Sequence, residues 1–140
     1  MKPRLLVLLF IAGLLLVLAA ACGDDGQPPI TVEDLTGTWF QSSASVYARF
    51  DGDGTFRVAN SVAKLEENPD VDIGQFRLEG TLITLMSSDE SPRCPGLSGS
   101  YQVQLTEEGH LQFDEQDDPC GPRTSSSSGA ASGPFRRTSP

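Results

Sequence analysis

Leu35-Thr36-Gly37-Thr38-Trp39-Phe40 is the stretch on which the fold turns. It holds the only Trp among 140 residues, and it follows a polar segment containing Pro28-Pro29. From here onward, short runs of alternating apolar and polar residues are separated by turn residues. That is the pattern of antiparallel β-structure.

The first strand is read over Thr38 to Gln41. Val46-Tyr47-Ala48-Arg49-Phe50 and Thr55-Phe56-Arg57-Val58-Ala59 flank Asp51-Gly52-Asp53-Gly54, a hairpin pattern. Val46, Ala48 and Phe50 share one face, and Phe56 and Val58 can meet them. The Asp-x-Asp-Gly stretch resembles the start of a calcium-binding EF-hand loop. The distal Glu that such a loop requires is missing, with Ala63 and Lys64 standing near its place, so the stretch reads as a turn. Ser61 to Asp70 reads as a short helix ended by Asn68-Pro69, lying across a barrel mouth, or as a plain connection.

Ile73 to Leu78 and Thr81 to Met86 flank Glu79-Gly80, and Gly74 marks a bulge or tight bend within its strand. Ser87 to Gly99 is a Pro/Gly/Ser-rich loop containing Cys94. Tyr101, Val103 and Leu105 alternate with polar residues, as do Leu111 and Phe113 beyond the Glu107-Glu108-Gly109 turn. A Ser/Gly-rich stretch from Thr124 to Ser132 precedes a last short strand, Phe135-Arg136-Arg137. The sum is an all-β domain: a small antiparallel up-and-down β-barrel of about eight strands. Closure would remove both sheet edges.

Upstream, Lys2 and Arg4 precede an apolar run from Leu5 to Leu18, then Ala19-Ala20-Ala21 and Cys22. Charged, apolar, small and cleavable is the order of a secretory signal. The run falls short of the roughly 20 apolar residues of a membrane span. Residues 1–21 are therefore read as a signal peptide, 22–34 as a flexible tether and 35–140 as the barrel domain. Within the tether, Thr31 reads as the cap of one helical turn, with Asp34 three residues on. The leader carries no acid, so its loss removes two positive charges and takes the net charge from −9 to −11. An acidic domain without a basic stripe excludes nucleic acid as a partner.

Leu18-Ala19-Ala20-Ala21-Cys22 resembles the lipobox of bacterial lipoproteins, with Ala19 where a larger aliphatic residue is usual. The resemblance implies acylation of Cys22, as by palmitate, and an N-terminal lipid anchor on the extracytoplasmic face of the cell membrane. Two or three acyl chains anchor stably where one does not. Gly37-x-Trp39 on the opening strand resembles the start of lipocalin-like barrels. That family implies an Arg near the last strand packed across the Trp, here Arg136 or Arg137, so that Gly37, Trp39 and one of these arginines close the barrel.

The two domain cysteines, Cys94 and Cys120, lie at similar distances from the Glu107-Glu108-Gly109 turn. The open ends of an antiparallel hairpin are neighbours, so the spacing predicts a Cys94–Cys120 disulfide, which an oxidising compartment permits. No catalytic constellation is found: His110 is the single His and lies in a turn, and Glu107 and Glu108 read as solvated surface. Arg49, Arg57 and Arg77 are expected to face outward, leaving the core to Phe50, Phe56, Val58, Phe76 and Leu78. No metal site and no cofactor is expected. The resulting expectation is a non-enzymatic, membrane-anchored lipoprotein whose lipocalin-like domain binds a small apolar molecule of unknown identity. The alternative is an envelope-structural or protein-interaction lipoprotein with a filled barrel.

Overall fold

The computed structural model describes residues 29–124 and 133–138. The leader, Cys22 and residues 125–132 lie outside the described residues. The chain begins with one helical turn, α1 (Val32–Leu35), capped as the sequence suggests. The Thr31 hydroxyl accepts from the Asp34 amide, and the Asp34 carboxylate accepts from the Thr31 amide, a reciprocal capping box. Ile30 and Leu35 are both buried in the core, so the packed unit reaches upstream of residue 35.

Seven strands follow in order: β1 (Gly37–Gln41), β2 (Val46–Phe50), β3 (Thr55–Ala59), β4 (Asp72–Glu79), β5 (Leu82–Ser87), β6 (Ser98–Leu105) and β7 (Leu111–Asp117). Between β3 and β4 lies α2 (Val62–Glu67), capped by Ser61 and ending at Asn68. After β7 come the single turn α3 (Gly121–Thr124) and the two-residue strand β8 (Arg136–Arg137). The sheet order is β7-β6-β5-β4-β3-β2-β1-β8, all antiparallel. This is the expected meander, curled into a small up-and-down barrel.

Period-two alternation fills the interior. Trp39, Val46, Ala48, Phe50, Phe56, Phe76, Ile83, Leu85, Tyr101, Val103, Leu111 and Phe113 all point inward and are buried. Phe50 meets Phe76 edge-on at 5.3 Å and stacks near Phe113 at 6.1 Å between centroids, and Phe113 meets Phe135 edge-on at 5.6 Å. Gly74 sits where β4 and β5 approach so closely that a Cβ there would lie 2.1 Å from the Met86 carbonyl oxygen. The pairing of β4 with β3 and β5 runs through Gly74 without a register shift, so the glycine marks a close backbone approach and not a bulge.

The two ends of the barrel differ. One is made of the tight turns 51–54, 80–81 and 106–110, together with α1. The other carries the longer connections, α2 and α3. β6 and β7 overrun their sequence-based limits most: β6 starts at Ser98, within the expected loop, and β7 continues to Asp117 beyond its apolar residues. Closure is also narrower than expected. β7 meets the C-terminal segment through one antiparallel bridge, Leu111–Phe135, with amide-to-carbonyl distances of 2.9 and 2.7 Å.

Candidate functional site

At the tight-turn end, β8 returns to β1 and pairs Trp39 with Arg137 and Phe40 with Arg136. Trp39 is fully buried, and its indole N–H donates to the Leu35 carbonyl at 2.7 Å. Arg137 lies over the indole, its guanidinium carbon 4.3 Å from the ring centroid. Nη1 and Nη2 donate to the Thr36 and Asp34 carbonyls, each at 2.7 Å. Gly37 makes the approach possible, since a Cβ there would sit 2.8 Å from Nη1. Of the two candidate arginines the structure thus selects Arg137, the strand partner of Trp39, while Arg136 pairs with Phe40.

The arginines on β2 and β3 occupy the outer face, as expected. Arg49 and Arg57 are cross-strand partners, and both donate to Asp51, at 2.8 and 3.1 Å. Asp53 accepts from the Thr55 amide and hydroxyl at 3.0 and 2.7 Å. The acids of the Asp-x-Asp-Gly turn therefore work as hairpin and ion-pair partners. Arg77 pairs with Glu79 in solvent, and His110 lies 3.6 Å from Glu108 in the β6–β7 turn. A groove of about 310 Å3 beside the barrel base includes Arg49 and Arg137 in its wall, but these guanidiniums already hold Asp51, Glu66 and the α1 carbonyls.

The opposite end holds a buried polar cluster that sequence reading missed. Arg123 of α3 donates Nε and Nη2 to Asp118 at 2.7 and 2.9 Å, a two-pronged pair. Its Nη1 donates to Ser87 at 2.6 Å and Asp72 at 3.2 Å, and Nη2 also reaches the Leu97 carbonyl at 3.4 Å. Asp72, fully buried, accepts in addition from Ser91 at 2.6 Å and Ser87 at 3.0 Å. The Tyr101 hydroxyl donates to Asp118. Burial raises the Asp118 carboxyl, but hydrogen bonds from Arg123, Tyr101 and the Cys120 amide outweigh it and hold it below the usual carboxylate range. Burial, reinforced by Asp118, pushes the Tyr101 phenol well above its usual value.

Covalent closure adds to this clamp. Cys94 and Cys120 form a disulfide with Cα atoms 5.7 Å apart, joining the β5–β6 loop to the segment leading into α3. Gly99 lets Asp118 pack closely, because a Cβ there would fall 2.2 Å from its carboxylate. The signals were present in the sequence. Asp72 shares the inward parity of Gly74, Phe76 and Leu78, and Arg123 is the only Lys or Arg between Arg93 and Arg136.

Beneath the clamp lies an apolar chamber of about 40 Å3, walled chiefly by Val46, Ala48, Phe56, Val71, Leu85 and Phe113, with Pro122 and Arg123 among its lining. Pockets that hold drug-sized ligands run to roughly 300–1,000 Å3. The chamber is far smaller than these. Among the described residues no helix is long and apolar enough to cross a membrane. Comparison with protein-family models, curated proteins and solved structures found no match for this chain.

Proposed function

We propose that this chain is a lipoprotein anchored through Cys22 to the extracytoplasmic face of the cell membrane, and that its domain is a filled barrel acting through its surface on a protein or envelope partner. The observation that carries the choice is the chamber beneath the clamp, whose volume is about 40 Å3. A space of that size is far below that of pockets that hold drug-sized ligands. The Cys94–Cys120 disulfide supports the placement, since such bonds persist in oxidising compartments. The likeness to lipocalin-like barrels gains support from Arg137 on Trp39. The Arg123 guanidinium is committed to Asp118, Asp72, Ser87 and the Leu97 carbonyl, which supports a structural role for this buried cluster.

The second reading, a carrier of a small apolar molecule, is favoured by one feature. The chamber wall is apolar apart from Asp72 and Arg123. Two measurements test the proposal. Labelled palmitate should enter the parent chain and not Cys22→Ser, which should accumulate as a longer, unacylated precursor. A fluorescent fatty acid should show no saturable binding to the full chain. Membrane-bound, processed Cys22→Ser defeats the anchor, and saturable probe binding restores the carrier.

A further inference from the structure

The Cys94–Cys120 bond has a non-covalent counterpart. The Cys94 amide donates to Ser91 Oγ at 3.3 Å, and that hydroxyl donates to Asp72 at 2.6 Å. The Cys120 amide donates to Asp118 at 2.8 Å. Arg123 spans the two acids, with Nη1 on Asp72 and with Nε and Nη2 on Asp118. The path Cys94–Ser91–Asp72–Arg123–Asp118–Cys120 is therefore closed into a ring by the disulfide. Every side chain in it is buried, both cysteines fully. The turn that carries Arg123 also packs on Cys120, whose carbonyl accepts from the Arg123 and Thr124 amides at 3.0 and 3.2 Å.

Thiol–disulfide exchange needs access to a sulfur. With both cysteines buried, the closed ring denies it. We propose that Arg123 is the latch of a redox gate: the Cys94–Cys120 bond becomes exchangeable only when Arg123 leaves its carboxylates and α3 turns away from Cys120, while the strands stay paired. The last residue of β7 in register with β6 is Asp117, so this opening breaks the clamp and no ladder bond. Local openings of that kind lie below global unfolding in free energy. The reductant is a dithiol. Its thiolate attacks one sulfur, the S–S bond breaks, and the other cysteine leaves as a thiolate that takes up a proton. The second thiol of the reagent then displaces the first cysteine and closes the reagent's own disulfide, so two electrons and two protons pass to the protein. Arg123 acts through Asp72 and Asp118 and is a positioning residue. The latch depends on neither the lipid anchor nor the surface-acting reading.

The test follows dithiothreitol reduction of the full chain in detergent, quenched with iodoacetamide and read by mass at Cys94 and Cys120. Arg123→Met, with near-ultraviolet circular dichroism matching the parent, should be reduced about 100-fold faster or more, because a buried pair broken from one side is strongly destabilised. Ser91→Ala cuts the ring on the Cys94 side, leaves Arg123 on both acids, and should be reduced about fivefold faster. Arg137→Ala, at the other end of the barrel, should change the rate less than about twofold, which separates local opening from unfolding. Sub-denaturing urea should raise the parent's rate less than about twofold per molar, against about fivefold or more for a path through global unfolding. Equal acceleration by Arg137→Ala and Ser91→Ala, a steep urea dependence of the parent, or folded Arg123→Met reduced at the parent's rate overturns the proposal. Should Arg123→Met fail to fold, the pair Ser91→Ala and Arg137→Ala decides.

Discussion

The Arg137 guanidinium lies across the indole of Trp39, 4.3 Å from its centroid, and so ties the last strand to the first. The contact is also a cap on α1, because the same guanidinium accepts no proton but donates to the Asp34 and Thr36 carbonyls. Trp39→Ala empties a fully buried site. It should cost about 3–5 kcal/mol in urea unfolding. Arg137→Ala leaves the indole in place and should cost about 1–2 kcal/mol. In both variants amide exchange at residues 134–138 should accelerate before that of β3 to β6. Unchanged protection there would detach β8 from barrel closure.

Arg123→Met should be among the most damaging single changes to this domain. It leaves the Asp118 and Asp72 carboxylates buried without their cation. Breaking a buried pair from one side costs about 3–5 kcal/mol. Thermal unfolding of the oxidised variant checks this, and a loss under about 1 kcal/mol would show that the clamp carries little of the stability.

Acid should weaken the fold through depressed carboxylates. Asp118 titrates below its usual value, as set out above. At Asp70 burial is likewise the largest influence and raises the carboxyl, but hydrogen bonds from Lys64 and Asn60 outweigh it and leave the group strongly depressed. The unfolded state then binds more protons than the folded state in the acid range. Stability should be complete above about pH 5 and fall as pH drops below about 4. Asp118→Asn should be less stable at neutral pH, and its curve should converge on the parent's in acid. Tyr101 has the opposite sense: a raised phenol keeps its proton in the folded state, so its contribution is lost as pH rises above about 10. Tyr101→Phe should flatten that alkaline limb.

Gly74→Ala should destabilise out of proportion to its size. The added Cβ would lie 2.1 Å from one backbone atom of β5 and 2.8 Å from another. Backbone must move to admit it, at a cost of about 1–3 kcal/mol. Gly80→Ala serves as the comparison, because open space surrounds Gly80 and its penalty comes only from φ +62. A smaller loss for Gly74→Ala than for Gly80→Ala would argue against the close β4–β5 contact.

Strand order and facing were legible because each rests on local pattern. Alternation at Val46, Ala48 and Phe50, the Asp-Gly turn and the lone Trp39 each act within a few residues. The Cys94–Cys120 bond was legible for a related reason, since a hairpin fixes the relation between its open ends. The Asp72–Arg123 contact was not, because 51 positions separate the two residues and the α3 turn that delivers Arg123 has no apolar periodicity. The overrun of β7 was hidden as well. Asp114 to Asp117 have no buried face to produce alternation, and only pairing with β6 shows them to be strand.

Native mass spectrometry of the full chain, extracted from its own membrane in mild detergent, tests the filled barrel most directly. The expected mass is that of the chain beginning at an acylated Cys22, two hydrogens lighter for the disulfide, with no further species bound. A stoichiometric small molecule that stays with the folded chain and leaves on denaturation would contradict it, and would mean that the chamber opens to hold a ligand.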